Sequence, residues 1–248
     1  MLGISGAARV SSVVVSIMRM KQLQANKAFV SLALGCLTIG EILLGAGSNC
    51  SAAIIYPKAP DGGRQIVHEN AARILREQPE FLGGLHLEDL AIGDPYGAYY
   101  VEPTSLAAGR LLSGARLGEW MYLFTHGTNA VGAEGLDADK KTGKALGFSG
   151  LYKSNFSYET LEALRIAETL PQVKKQDYEL RFLDSPGIVF VAVWLHGKSD
   201  DIVIPLGLTF GRWNAYEAYS EAQIIKLLKP EAKKKLKAPG LGSAAPHV

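Results

Sequence analysis

The chain has 248 residues, 48% hydrophobic and 20% charged, with a formal net charge of +2. That supplies a substantial core and excludes disorder over most of the length. Arg9, Arg19, Lys21 and Lys27 precede Ala53 with only Glu41 opposing them, so the remainder lies within one charge of neutrality and carries no electrostatic footprint for nucleic acid.

At the front, residues 19–27 hold three positive charges and no negative one, and the 17 residues from Ala28 to Leu44 are almost wholly apolar. Small residues follow through Ala53. Basic lead, apolar run and small-residue zone follow the order of a secretory signal, with cuts expected after Ser48, Ala52 or Ala53. The expectation is an exported protein, periplasmic or secreted. The alternative is a membrane anchor at 28–44, for which 17 residues including Glu41 are short. Lipoprotein processing at Cys36 or Cys50 is disfavoured, because neither has a leucine three places upstream. Seventeen residues precede Met18, long for a leading basic region, so translation is expected to start at Met18 or Met20. Removing the first fifty residues removes both cysteines, and with them any disulfide or cysteine-based metal site.

A helix is expected over 64–78, where Val67, Ala71, Ile74 and Leu75 recur at helical spacing and Pro79 stops it. Tyr96–Val101 has strand composition, Ser105–Ser113 reads as a second short helix or irregular link, and 119–126 is an aromatic-rich strand. Residues 130–151 read as a hairpin turning at Gly143. A helix follows from Ser157, its expected N-cap, to Pro171, with Leu161, Leu164, Ala167 and Leu170 on one face. Tyr178–Leu206 resolves into a three-strand meander. Tyr178, Leu180 and Phe182 alternate with polar residues, Asp184 and Ser185 form a turn, Ile188–Leu195 is a strand covered on both faces, and Ile202–Leu206 returns with Pro205 marking an edge or strand end. Beyond Gly207, Ile224, Ile225, Leu227 and Leu228 form an apolar patch beside six lysines between Lys226 and Lys237. A helix docked by its apolar face accounts for this, with a basic helix on anionic lipid as the alternative. The last eleven residues have the composition of a disordered tail. The expected fold is α+β: an antiparallel sheet of one hairpin plus a three-strand meander, packed with two main helices. The organisation is a signal or anchor at 1–52, an α+β domain at 53–213, and a basic helix with tail at 214–248.

Chemistry-bearing patterns are sparse. The sequence around Ser149 lacks the second glycine of a G-x-S-x-G elbow and lies on a hairpin strand, so Ser149 reads as structural. Asp137 and Asp139 begin like a calcium loop, but Lys141, Thr142 and Phe148 occupy positions that need a ligand, a glycine and an acid. His68, His86, His126, His196 and His247 are scattered singly, without metal-ligand spacing. No phosphate-binding glycine loop follows a strand, and no cofactor or metal is expected. His126 and His196 end aromatic strands and could meet across a sheet edge.

The helix over 64–78, the strand at 96–101 and the hairpin carrying Asp137, Ala138, Thr142, Gly143 and Lys144 resemble, in their order, the PepSY and propeptide-type domains of exported bacterial proteins. Leu136 and Leu146 stand where such hairpins usually carry valine, and a long insert separates the strand from the hairpin. The resemblance implies an α+β module that binds or inhibits a partner, another protein, and supplies no active-site residues. The expected function is therefore a non-enzymatic binding or interaction protein of the cell envelope or secreted fraction. The alternatives are a hydrolase assembled from His126, His196, Asp200 and Glu134, and a membrane-tethered scaffold. Membrane contact is expected only through an uncleaved N-terminal segment or, weakly, the basic C-terminal helix.

Overall fold

A computed structural model describes residues 53–238, apart from 140, 143, 209 and 210. The expectations placed on residues 1–52 with Cys36 and Cys50, on Gly143, on the tail after Ala238 and on His247 lie outside these residues.

The described chain folds into a single ten-stranded sheet with four helices. In chain order the elements are β1 (Ile54–Ile55), α1 (Gly63–Glu77), β2 (Ala91–Ile92), β3 (Tyr96–Tyr100), α2 (Pro103–Ala107), β4 (Arg116–His126), β5 (Asn129–Ala138), β6 (Ala145–Lys153), α3 (Ser154–Thr169), β7 (Tyr178–Ser185), β8 (Phe190–Gly197), β9 (Asp201–Pro205), β10 (Tyr219–Ser220) and α4 (Glu221–Lys237). Eight strands lie in the order β10-β9-β8-β7-β3-β4-β5-β6. The expected hairpin is β5–β6 and the expected meander is β7–β8–β9, but they belong to one sheet. The two halves join where β3 pairs with β7 in parallel, Gly97 against Arg181 through Tyr100 against Asp184. The fold expectation is therefore corrected: the sheet is larger than a hairpin plus a meander, and it is mixed. The parallel pair brings together strands far apart in sequence, which no local pattern announces.

Alternation places the core on both faces. Met121 and Leu123 of β4, Leu180 and Phe182 of β7 and Val193 and Leu195 of β8 pack with Ala163, Leu164 and Ala167 of α3. On the opposite face Tyr122 and Phe124 pack with Val67 and Ala71 of α1, and Ala192 and Trp194 pack with Ile224, Leu228 and Ala232 of α4. The apolar stripe of α4 is thus spent on the sheet. At its start Ser220 caps the helix by accepting from Gln223 N. Among the described residues no helix is long and apolar enough to cross a membrane.

Two local expectations change. Helix α3 starts at Ser154, so Ser157 is not its N-cap; Ser157 lies inside the helix, fully buried, with no partner for its hydroxyl. Asp184 and Ser185 are not a turn. They are the last rungs of β7, opposite Val191 and Phe190, and the reversal is made by a 3-10 turn at Pro186–Ile188 and Val189, whose φ is 53°.

The sheet forks at one end. β2 pairs with β4 and β1 with β7, both along the edges that β3 occupies further up, and Tyr96 starts β3 at the fork. Hollows flank β1: one lined by Ile54 and Tyr56 with Leu161 and Leu164 of α3, the other by Ile55 with His196.

Candidate functional site

The hollow beside His196, about 360 Å³, is lined by Ile55, Gln176, Asp177, Glu179, His196, Gly197 and Lys198. His196 and Asp201 are cross-strand neighbours on β8 and β9. His196 Nδ1 lies 2.7 Å from Asp201 Oδ1, and Trp194 Nε1 donates to the same oxygen at 2.8 Å. A carboxylate only accepts, so Nδ1 carries the hydrogen of this bond. Further up the same face the Arg181 guanidinium stacks on Trp194 and Tyr99, 4.6 and 5.0 Å from their centroids, and its Nε donates to Glu179 at 2.7 Å. Asp177 accepts from the backbone of Ala53 at 3.0 Å. The acids lining the hollow are thus engaged. No serine, threonine or cysteine is among the lining residues; Ser199 turns to Gln176 and Asp200.

The other three residues of the hydrolase alternative go elsewhere. Asp200 accepts from the Tyr178 hydroxyl at 2.8 Å and from Gln176, bracing the β8–β9 hairpin. His126 is exposed at the end of β4, which β3 and β7 separate from β8. Glu134 is fully buried under α1, where its Oε1 accepts from Asn70 at 2.8 Å and its Oε2 has no partner. Burial raises the Glu134 carboxyl to about 7, against the opposing pull of the Asn70 hydrogen bond and the Arg73 charge. Among the described residues no cluster of three or more His, Cys, Asp or Glu is placed to hold a metal ion.

The polar centre that sequence reasoning missed is Glu119, 4% exposed on the α3 face of β4. Its Oε1 accepts from the hydroxyls of Tyr100 (2.5 Å) and Tyr152 (2.7 Å), while Oε2 is buried without a partner. Gly118 and Gly135 make room: a Cβ at Gly118 would overlap the Tyr100 ring and one at Gly135 would overlap Glu119 Oε2. Burial, then the Glu119 hydrogen bond and charge, push the Tyr100 hydroxyl far up; burial with the Glu119 charge and hydrogen bond does the same for Tyr152. Asp184 stands close by at the end of β7, its carboxyl raised to about 6 by burial and the Glu119 charge. The signal was present in the sequence: Glu119 shares the inward parity of Met121 and Leu123 and follows a glycine. Glu119→Gln keeps an acceptor for both tyrosines and removes the neighbouring charge, so Asp184 should titrate lower than about 6 by side-chain NMR. An unmoved midpoint would mean that burial alone sets it.

No protein-family model, curated protein or solved structure matches the chain.

Proposed function

We propose that the protein is a non-enzymatic binding or interaction protein, exported to the cell envelope or secreted fraction, with another protein as its partner. One observation carries the reading. His196 is oriented by Asp201 beside an open hollow whose lining residues offer it no hydroxyl or thiol nucleophile, while Asp200, Glu134 and His126 lie at separate places. A fixed, half-exposed imidazole beside Lys198 and Ile55 on a rigid strand end suits recognition, where held geometry lowers the ordering cost of association. Export is supported by the order of charge, apolar run and small residues before Ala53.

The test is capture of partners from periplasm or culture fluid by the processed protein. His196→Ala should lower capture at least several-fold with the fold intact by circular dichroism, and His126→Ala should leave it unchanged. Hydrolytic activity of the purified protein that His196→Ala abolishes would instead establish the hydrolase.

A further inference from the structure

Helices α1 and α4 lie on one face of the sheet, α1 packing Val67 and Ala71 against β4 and α4 packing Ile224 and Leu228 against β8. Between them β7 presents Glu179 and Arg181, whose side chains are 31% and 17% exposed. A charged side chain at the middle of the sheet is held there by three contacts. The Arg181 Nε donates to Glu179 Oε1 at 2.7 Å, and Cζ lies 4.6 Å from the Trp194 centroid and 5.0 Å from that of Tyr99. Trp194 is the rung partner of Arg181 on β8 and Gly97 its rung partner on β3. A Cβ at Gly97 would meet the Tyr99 ring at 2.9 Å, so the bare backbone there lets that ring lean across toward Arg181. Trp194 is fixed in turn by its indole, which donates to Asp201. The guanidinium is thus clamped by its Nε and its flat faces. Its two Nη groups have no partner among the described residues, and neither is buried.

We propose that the open fork of Arg181 is a carboxylate-binding site, and that it takes an aspartate or glutamate side chain of the partner protein. The inference rests on the reading of this chain as a binding protein and names what the partner presents. Two parallel hydrogen bonds from Nη1 and Nη2 match the two oxygens of a carboxylate. The guanidinium is immobilised before the ligand arrives, so little ordering is left to oppose association. Phosphate shares this geometry but suits the surroundings less well. Glu179 and Asp201 stand on the same face and Asp177 lines the hollow beside Glu179, so a second negative charge on the ligand would be repelled. Glu179 is a positioning residue: it aims the fork through Nε, while its charge opposes the ligand. The Trp194 and His196 rings are 5.6 Å apart, so a segment anchored on Arg181 has the imidazole and its hollow as the next contacts along β8.

The probe is a blocked alanine pentapeptide with a central aspartate, titrated at low salt and followed by NMR. It should move the Arg181 Nε–H and Trp194 indole N–H resonances to saturation, and the same peptide with a central asparagine should leave them in place. Arg181→Lys keeps the charge but loses the planar fork, so the affinity read from the Trp194 indole should fall roughly five- to tenfold. Glu179→Gln keeps an oxygen for Nε and removes the opposing charge, so binding should tighten roughly two- to fivefold, an effect that a purely structural residue would not give. Circular dichroism establishes that both variants fold. Equal shifts from the asparagine peptide, or unchanged affinity in Arg181→Lys, would overturn the site. Inorganic phosphate binding more tightly than the aspartate peptide would overturn the choice of carboxylate. Peptide binding without any partner captured from periplasm or culture fluid would remove the binding-protein reading and leave the site standing. Capture that depends on His196, with no peptide binding, would do the reverse.

Discussion

Gly118→Ala should destabilise the protein by roughly 2–4 kcal/mol in urea unfolding, through overpacking and a lost buried hydrogen bond. Gly118 is the extra residue of a bulge where the β3–β4 register slips between Ala98 and Tyr99. A Cβ there would lie inside the Tyr100 ring, and that ring cannot swing away freely because its hydroxyl is held by Glu119. Releasing it leaves Glu119 with Tyr152 alone as a partner, in a site with only 4% exposure. Gly150→Ala is the control. Its added Cβ would meet the Tyr152 ring at 3.4 Å, an ordinary contact, and Gly150 has no positive φ. Replacing such a glycine reduces the entropy of the unfolded chain, so Gly150→Ala should be neutral or stabilising by up to about 1 kcal/mol. If both variants lost the same stability, glycine would be serving the strand in general and not the side chains around Glu119.

The contrast between these two glycines also shows what could be read from the amino acids alone. Elements with a strong local period were legible: α1 from Val67 and Ala71, β7 from Tyr178, Leu180 and Phe182, the β5–β6 hairpin, and the apolar patch of α4 around Ile224 and Leu228. The strand ends were not, and the site lies there. With His196 expected at the end of its strand and β9 expected to start at Ile202, Asp201 fell into the loop and the pair was not foreseen. Each strand in fact runs on, and these residues become the terminal cross-strand pair. Asp184 was hidden in the same way, since the letters around Pro186 have turn composition while β7 continues to Ser185. The two-residue strands β1, β2 and β10 have no period to detect. The β3–β7 pairing is non-local, and only tertiary packing selects it.

That pairing explains why the polar groups gather where they do. Joining two antiparallel halves through one parallel contact leaves the edges of β4 and β7 to diverge below Tyr96, and β1 and β2 fill the divergence only partly. The hollows beside β1 follow from this fork. Above it, Tyr100 sits between β4 and β7, within reach of Glu119 on one side and beside Asp184 on the other. Sheet topology thus places one set of polar residues inside the fold and the His196 set at its rim, with different exposures and different expected sensitivities to mutation.

Glu134→Gln should make the protein more stable at pH 8 by roughly 2 kcal/mol and leave it unchanged at pH 4. The Glu134 carboxyl titrates near 7 in the fold against an ordinary value of 4.5, chiefly because it is buried. A raised folded-state pKa means that the native state holds the proton more tightly. The stabilisation is fully present below about 4.5 and is lost as the pH rises through about 7. Taken at face value the shift corresponds to about 3 kcal/mol, and relaxation of the surroundings around the charged form brings it nearer to 2. Glutamine is neutral throughout and retains an oxygen for the Asn70 amide, so the variant should lose this slope between pH 4.5 and 7. Asp184 contributes in the same direction over a lower window, ending near pH 6, and should account for part of the slope that remains. Urea midpoints at pH 4, 6 and 8 separate the two contributions. If Glu134→Gln weakened the protein at pH 8, the ionised carboxylate would be stabilising the fold, most directly through the Arg73 charge on α1, and burial would not be the dominant influence on this acid.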